Sequence, residues 1–289
     1  MNSVMFILGF ISALLVLFLW RAFHLKRFDL SDELLNLSPT DHHWGNLGFW
    51  ENTQDYQQAC RQLARKVGDT AELNPQADLL DVGFGCGDQL ILWDTVYHVN
   101  SISGVNTSQT QVGLAQKKLR QAGVNAFLHH YDHRAIENQP DRTFSHVLSV
   151  DAAYFFEDRE AWFTHVHRVL KPEGKLVVTD LVMPDQPSDL LQEFIMRCLL
   201  WLCGIPRDNV ITLDAYKKQL QEAGFSQVTE EDISASVLDG FAQWLPAYRK
   251  QFEGLKDYPI WQKYMATSKF LSWLRKHDLL RCYLISAQR

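Results

Sequence analysis

The chain has 289 residues, of which 46% are hydrophobic, and its 28 Lys and Arg against 34 Asp and Glu give a formal net charge of -6. This length is sufficient for one α/β domain of ordinary size with an additional segment. Charges of one sign form no long run, so the composition does not indicate a nucleic-acid-binding surface. The five cysteines are scattered and never form a CxxC pair, which argues against a disulfide scaffold or a structural zinc site.

Residues 4–20 form the most apolar stretch of the chain and contain no ionisable side chain. As a helix they would rise about 26 Å, slightly less than the ~30 Å hydrocarbon core of a bilayer. A cleaved signal peptide is the alternative, but no Lys or Arg precedes the stretch and no small-x-small site follows it. Arg21 and two further basic residues follow, so the positive-inside rule places the rest of the chain in the cytoplasm. We therefore predict a transmembrane anchor over residues 1–27 and a single-pass membrane protein whose main domain, residues 28–289, is cytoplasmic.

Hydrophobic periodicity after this segment predicts helices and strands in alternation. The predicted strands cover residues 77–82, 101–105, 126–130, 146–150, 175–179, 227–232 and 282–287. The predicted helices cover residues 55–67, 88–97, 109–122, 159–170, 189–203 and 214–223, and residues 241–277 are helical and aromatic. Strands that alternate with helices form a parallel sheet covered on both faces. The predicted fold class is α/β, with a doubly wound, mostly parallel, seven-stranded Rossmann-like sheet.

The turn after the first predicted strand contains Gly83, Gly85 and Gly87 in a G-x-G-x-G pattern. Glycines let the backbone approach a ligand closely, and the N-terminus of a predicted helix follows directly. We expect a side chain at any of the three positions to collide with a ligand or to strain the backbone. The spacing differs from the G-x-G-x-x-G of a dinucleotide site. The acid before the turn, Asp81, favours a cationic or amine-bearing ligand over a pyrophosphate.

Four segments follow one another in a characteristic order: LLDVGFGCGDQ (79–89), SGVNTSQTQV (103–112), VLSVDAAYFFEDRE (147–160) and VLKPEGKLVVTD (169–180). In this order they resemble the motifs of the class I S-adenosylmethionine-dependent methyltransferases. HWGNLGFW (43–50) and LDAYKKQLQEAGFSQVTEEDIS (213–234) resemble small-molecule enzymes of the sterol, phosphoethanolamine and cyclopropane-fatty-acid type. The resemblance implies S-adenosyl-L-methionine as the cofactor. It also implies helical lid or cap insertions, here residues 184–206 and 241–277.

The resemblance also implies a set of cofactor-binding residues at the ends of the first four strands. They are Asp81, Gly83, Phe84, Gly85, Gly87, Asn106, Thr107, Gln111, Asp132, His133 and Val150. Asp81 would order the glycine turn or meet the amino group of the cofactor, and a cap on the amides of residues 85–88 is the alternative. Asp132 would accept a hydrogen bond from the adenine amino group, and His133 would flank the ring.

Asn106 departs from the commonest family pattern, in which an Asp or Glu accepts both ribose hydroxyls. An asparagine offers one acceptor and one donor group, so it can hold one hydroxyl. Gln111 lies about one helical turn further on, where it can reach the same place. Thr107 and Ser108 are as well suited to an N-cap as to a ligand.

The segment after the fourth strand is where the resemblance places the methyl group of the cofactor. Relatives often have a histidine there as a candidate base, but this chain has Phe155. The candidate catalytic residues are therefore Tyr154, Asp151 and the N-terminal His43, each with a structural role as the alternative. Tyr154 and Phe155 could instead line the pocket and favour a sulfonium by cation–π attraction. The histidines of the third strand and its turn would diverge, so we expect no metal site.

These observations predict methyl transfer from S-adenosylmethionine to a lipophilic small molecule or lipid at the cytoplasmic membrane face. The partners would be that substrate and a membrane, reached through the N-terminal helix, and no nucleic acid. A membrane-tethered protein that binds the cofactor without turnover is one alternative. A nicotinamide-dependent oxidoreductase is another, which the glycine spacing disfavours.

Overall fold

The computed structural model describes residues 35–36, 42–185, 189–252, 254 and 259–289. In these ranges seven strands are present: β1 (Asp78–Val82), β2 (Ser101–Asn106), β3 (Phe127–His130), β4 (Phe144–Ser149), β5 (Leu170–Val182), β6 (Ser226–Asp232) and β7 (Arg281–Gln288). The α-helices in the same ranges are α1 (Tyr56–Thr70), α2 (Asp88–Tyr97), α3 (Gln109–Ala122), α4 (Arg159–Val169), α5 (Leu190–Leu202), α6 (Leu213–Glu222), α7 (Gly240–Lys250) and α8 (Pro259–Lys276). Short 3-10 helices cover His133–Asn138, Ala153–Phe155 and Arg207–Asn209, and a π-helical turn covers Ala235–Asp239.

The seven strands form one sheet in the order β3-β2-β1-β4-β5-β7-β6. Strands β1 to β5 are parallel, and β7 runs antiparallel to both β5 and β6. The strand order reverses between β1 and β4, and a crevice opens beyond the carboxyl ends of the strands at such a point. The predicted seven-stranded, mostly parallel Rossmann-like sheet is therefore confirmed. Its topology brings the glycine turn after β1 beside the segment after β4.

Alternate residues of each central strand enter two separate buried clusters, one on each face of the sheet. Leu79 and Leu148 belong to one cluster, whereas Leu80 and Val147 belong to the other. Successive side chains of a strand point to opposite faces, so both faces of this sheet must be covered. This explains why consecutive residues of the central strands, such as Leu79 and Leu80 of β1, are both apolar.

The fifth strand is longer than the predicted residues 175–179. β5 begins at Leu170, which pairs with Phe144 of β4 through a register shift. At its other end it pairs with β7 as far as Val182. Pro172 and Gly174 lie between the predicted helix and the predicted strand, but pairing with two neighbouring strands extends β5 on both sides of the predicted range.

The predicted membrane localisation is wrong according to the search for membrane-spanning helices among the described residues. In that part of the chain, no helix combines the length and the apolar character needed to cross a bilayer. The predicted anchor itself, residues 1–27, lies outside the described residues.

Candidate active site

The glycine turn after β1 adopts left-handed backbone conformations at all three glycines, with φ of +92° at Gly83, +60° at Gly85 and +93° at Gly87. A Cβ at Gly83 would lie 2.6 Å from the Cβ of Ala152, and one at Gly87 would lie 2.8 Å from the Cβ of Ala115. A Cβ at Gly85 would meet no atom within 4 Å. The first and third glycines are thus required by packing within the protein. Gly85 alone faces open space, where a ligand could contact the turn.

Phe84 lies between these glycines, but its side chain is buried in the core. Its ring packs so closely against β2 that a Cβ at Gly104 would come within 2.7 Å of it. The ring therefore points away from the open side of the turn. Only the backbone of Phe84 remains available for the cofactor contact that the sequence predicted.

Asp81, the acid before the turn, is fully buried and directed at helix α2. Its carboxylate accepts hydrogen bonds from Gln89 Nε2 (2.8 Å to Oδ2) and from Trp93 Nε1 (2.6 Å). Its partners are thus two side chains of α2 rather than the amides of residues 85–88, the alternative that the sequence left open. Burial raises the pKa of Asp81 to about 6, although the two donors oppose the shift. Asp81 therefore ties α2 to β1 and so orders the turn between them.

Asn106, at the end of β2, holds the glycine turn in place. Its Nδ2 donates to the carbonyl oxygen of Gly85 (3.0 Å) and to Oε1 of Gln111 (2.9 Å). Asn106 and Gln111 are thus brought together as the spacing predicted, although their amides already bond to each other. Ser108, not Thr107, is the N-cap of α3. Whether these side chains bind ribose stays a prediction.

Asp132 and His133 follow β3, and both side chains are engaged in local structure. Asp132 caps the 3-10 helix and pairs with Arg134, whose guanidinium lowers the pKa of the carboxyl group. His133 is buried, and its ring stacks on Phe156 with centroids 4.8 Å apart and planes 9° apart. Its Nε2 lies within hydrogen-bonding distance of the carbonyl oxygen of Glu157. The ring of His133 thus packs against Phe156, and its predicted place beside an adenine ring stays a prediction.

The histidines of this region do not converge. His130 Nε2 lies 3.1 Å from the carbonyl oxygen of Thr107, whereas His133 is directed toward Glu157. Among the residues that the structure describes, no group of three or more His, Cys, Asp or Glu side chains could hold a metal ion.

The segment after β4 begins with the buried Val150 and continues with Asp151, which has a left-handed φ of +54°. Asp151 Oδ2 accepts from the backbone N–H of Leu47 (2.7 Å), and Oδ1 accepts from the hydroxyl of Tyr154 (2.9 Å). Burial raises the pKa of Asp151 to about 6, and the charge of nearby Asp180 adds to the effect. The sequence-predicted pair Asp151 and Tyr154 is thus in direct contact at the carboxyl end of β4.

The N-terminal residues 42–47 are held against this edge by a second carboxylate, that of Asp88. It accepts from the backbone N–H of His43 (3.0 Å) and from Lys118 Nζ (2.6 Å), and it lies 2.7 Å from His42 Nδ1. Asp88 and Lys118 are both buried, which makes their ion pair a feature of the interior. Sequence reasoning missed both residues. Asp88 could have been found from its position, because it is an acid in the first turn of the helix that directly follows the glycine turn.

The residues present fit S-adenosylmethionine. The turn leaves open space at Gly85, a helix N-terminus follows it, and Asn106 fixes the carbonyl oxygen of Gly85. The candidate catalytic pair, Asp151 and Tyr154, lies at the neighbouring strand end, across the crevice.

Comparison with known proteins agrees with this arrangement. Residues 79–174 match a family described as a methyltransferase domain. Erythromycin 3''-O-methyltransferase of Saccharopolyspora erythraea is 28% identical over 217 residues, covering 72% of this chain and 69% of the relative. The 27-O-demethylrifamycin SV methyltransferase of Amycolatopsis mediterranei is 27% identical over 240 residues, covering 81% of this chain and 84% of the relative. A cyclopropane synthase of Mycobacterium tuberculosis has the same fold, with a TM-score of 0.73 at 19% identity over 91% of this chain and 96% of the other.

The fold, the glycine turn and these relatives define the chain as a class I S-adenosylmethionine-dependent methyltransferase. It is an enzyme of the small-molecule branch, and its cofactor is S-adenosyl-L-methionine. The resemblance, the activity class and the cofactor predicted from the sequence are confirmed.

Proposed function

We propose that this enzyme transfers the methyl group of S-adenosylmethionine to a hydroxyl oxygen of a lipophilic small molecule. The observation that carries the proposal is the apolar outer face of helix α5, which begins eight residues after the end of β5. Leu190, Leu191 and Phe194 on this helix are 81%, 65% and 56% exposed. Large apolar side chains grouped on one exposed face are typical of a binding surface.

Helix α5 is attached to the same edge of the sheet as the candidate site. Its inner residues Met196 and Leu200 belong to the buried cluster that also contains Val150 and Tyr154. The guanidinium of Arg197 reaches the sulfur of Met183, the residue that follows β5, at 3.0 Å. We propose that an acceptor held by α5 lies near the carboxyl end of β4. We accordingly propose residues 184–206 as a lid and residues 241–277 as a cap, within one methyltransferase domain over residues 28–289.

The choice of oxygen as the acceptor is supported by the pair Asp151 and Tyr154. A hydroxyl must lose its proton as it gains a methyl group, and a carboxylate with a pKa of about 6 is largely ionised at neutral pH. Two of the relatives are named for methylation at oxygen. The proton would pass from the acceptor hydroxyl to the oxygen of Tyr154, while the Tyr154 proton moves to Asp151 Oδ1.

The remaining residues would bind and align. When bound, S-adenosylmethionine supplies an electrophilic methyl group on a sulfonium sulfur. The turn at Gly83, Gly85 and Gly87 and the side chains of Asn106 and Gln111 would hold the cofactor. Tyr154 and Phe155, whose ring centroids lie 4.4 Å apart, would exclude water at the reacting centre.

The proposal is tested by incubating the purified chain with S-adenosylmethionine that carries an isotope-labelled methyl group, together with an organic extract of hydroxylated small molecules. We expect the label to partition into organic solvent, and the methyl resonance of the product to be that of a methyl ether. A methylamine or C-methyl resonance would refute oxygen as the acceptor. Cofactor binding without any labelled product would favour the alternative of a cofactor-binding protein without turnover.

The proton relay has its own test in the pH dependence of kcat. Asp151 must be ionised to accept a proton, so kcat should fall as the pH drops through about 6. Asp151→Asn should lower kcat by about 100-fold or more, the usual contribution of a general base. Tyr154→Phe should also lower kcat, because the hydroxyl that contacts Asp151 is removed. If kcat is unchanged in both variants, neither residue moves the proton.

A further inference from the structure

A single side-chain amide, that of Asn209, holds the backbone of the segment that carries Tyr154. Asn209 lies in the short 3-10 helix after α5, far along the chain from β4. Its Nδ2 donates to the carbonyl oxygen of Tyr154 at 3.0 Å and to that of Phe156 at 2.7 Å. These two carbonyl groups lie on either side of Phe155. One side chain therefore fixes the second half of the 3-10 turn (Ala153–Phe155) that presents the tyrosine.

Asn209 is itself held by a buried charged group. Asn209 is 2% exposed, and its backbone carbonyl oxygen accepts a hydrogen bond from Arg159 Nη2 at 3.2 Å. Arg159 Nη1 donates to Asp180 Oδ2 at 2.9 Å, and the hydroxyl of Tyr216 donates to the same oxygen at 2.9 Å. Because Asp180 lies in β5 and is fully buried, Asn209 is tied to the sheet itself. The position of its amide is thus set by the core rather than by a mobile surface.

The neighbouring residue, Val210, links this arrangement to helix α5. The carbonyl oxygen of Val210 accepts from Arg197 Nη1 at 2.9 Å, and Arg197 lies in α5. Residue 211 is joined to the end of β5 by the bond from Met183 N to the carbonyl oxygen of Ile211, at 2.8 Å. The segment that contains Asn209 therefore contacts the helix proposed to meet the acceptor on one side and the turn of Tyr154 on the other.

We propose that Asn209 is a positioning residue for methyl transfer, which keeps the hydroxyl of Tyr154 on Asp151 and aligned with the acceptor. The inference rests on the proposed function, because Tyr154 and Asp151 have been assigned there to the proton relay. Asn209 lies outside the matched domain, residues 79–174, and contacts the site only through backbone carbonyl groups. It acts through Tyr154 and not on the cofactor, since the glycine turn is fixed separately by Asn106.

The test compares Asn209→Ala with Ser145→Ala. The control also removes hydrogen bonds to two backbone groups, the N–H (2.8 Å) and the carbonyl oxygen (3.2 Å) of Asp78. It does so at the amino end of β1, on the opposite edge of the sheet. We expect Asn209→Ala to lower kcat at least tenfold and to leave the Kd for S-adenosylmethionine within twofold. Ser145→Ala should change neither quantity.

Amide hydrogen exchange, followed by mass spectrometry on peptides that cover residues 151–158, supplies a readout that does not depend on the acceptor. Phe155 N and Phe156 N donate within the turn at 3.0 and 3.1 Å. Their protection should fall at least tenfold in Asn209→Ala and stay unchanged in Ser145→Ala. Unchanged protection in both variants would overturn the positioning role. If amide protection falls in Asn209→Ala but the wild-type enzyme gives no methyl-ether product, the proposed function is overturned, whereas the role of Asn209 in positioning the turn stands.

Asn209→Ser provides a second variant if the alanine variant does not fold. A serine hydroxyl has one proton and can donate to only one of the two carbonyl groups. We expect kcat and exchange protection to fall by less than in Asn209→Ala, in the same direction. A parallel loss of cofactor affinity and kcat in either variant would contradict the inference, because it would indicate general loosening of the site.

Discussion

Replacing Gly85 by alanine separates the backbone role of the glycine turn from its ligand-binding role. Gly85 has a φ of +60°, and an added Cβ would meet no protein atom within 4 Å. The substitution therefore costs only the left-handed strain, about 1–2 kcal/mol for a residue with a Cβ. The melting temperature should fall by about 2–8 °C. The turn cannot relax freely, because the carbonyl oxygen of Gly85 is held by Asn106 at 3.0 Å.

The matched control is Gly123→Ala. Gly123 ends α3 with a φ of +72°, and a Cβ added there would also meet no atom within 4 Å. Alanine at position 123 would therefore have the same left-handed strain as alanine at position 85, but it would not lie in the crevice. Both variants should lose similar stability, but only Gly85→Ala should weaken S-adenosylmethionine binding, by at least about tenfold or 1.4 kcal/mol. Isothermal titration calorimetry measures the Kd, and thermal unfolding without cofactor measures the stability.

The reasoning is refuted if both variants bind the cofactor with the wild-type Kd. In that case the open space at Gly85 would not be where the cofactor meets the turn. An equal loss of affinity in the two variants would also contradict it, since general strain would then explain the effect.

Three further substitutions test the interior around the site, each measured by urea denaturation. Gly83→Ala places its Cβ 2.6 Å from that of Ala152 at a φ of +92°, so it should destabilise by more than left-handed strain alone, and adding Ala152→Gly should recover part of the loss. Burial raises the pKa of Asp81 from 3.8 to about 6, so its contribution to stability is full below pH ~4 and is lost as the pH rises through about 6. Asp81→Asn should remove this pH dependence, which is worth up to about 3 kcal/mol. If the free energy of unfolding of the variant changes with pH between 4 and 7 as steeply as that of the wild type, the assignment is contradicted. Asp88→Asn leaves Lys118 buried without its counter-charge and should cost about 3–5 kcal/mol, whereas combining it with Lys118→Met should be more stable than the single variant.

The fold could be predicted from the sequence because local signals and the global arrangement agree. Helix α3 has its predicted bounds, since Ser108 caps its beginning and Gly123 adopts the left-handed conformation at its end. The glycine pattern likewise marked the turn after β1, because few other residues tolerate positive φ. What periodicity could not reveal was the length of β5, which depends on pairing with β4 at its beginning and with β7, from the far end of the chain, at its end.

The partners of the site side chains could not be predicted, because they come from distant parts of the chain. Asp151 accepts from the N–H of Leu47, 104 residues earlier. Asp88 and Lys118 are 30 residues apart and lie on two different helices. Motifs identify which residues stand at strand ends, but they do not show which donors surround each one. For the same reason, the packing of His133 against Phe156 was missed.

The two hydrogen bonds to Asp151 connect the position of Leu47 with the proposed chemistry of the site. One carboxylate oxygen holds the N–H of Leu47 and the other holds the hydroxyl of Tyr154. Both donors favour the ionised form, whereas burial favours the protonated form and raises the pKa to about 6. A proton on Asp151 would compete with one of these donors, since a protonated carboxyl has less acceptor capacity. The ionisation of Asp151 that the proposed proton relay requires therefore also favours the hydrogen bond from Leu47, which holds residues 42–47 against this edge of the sheet.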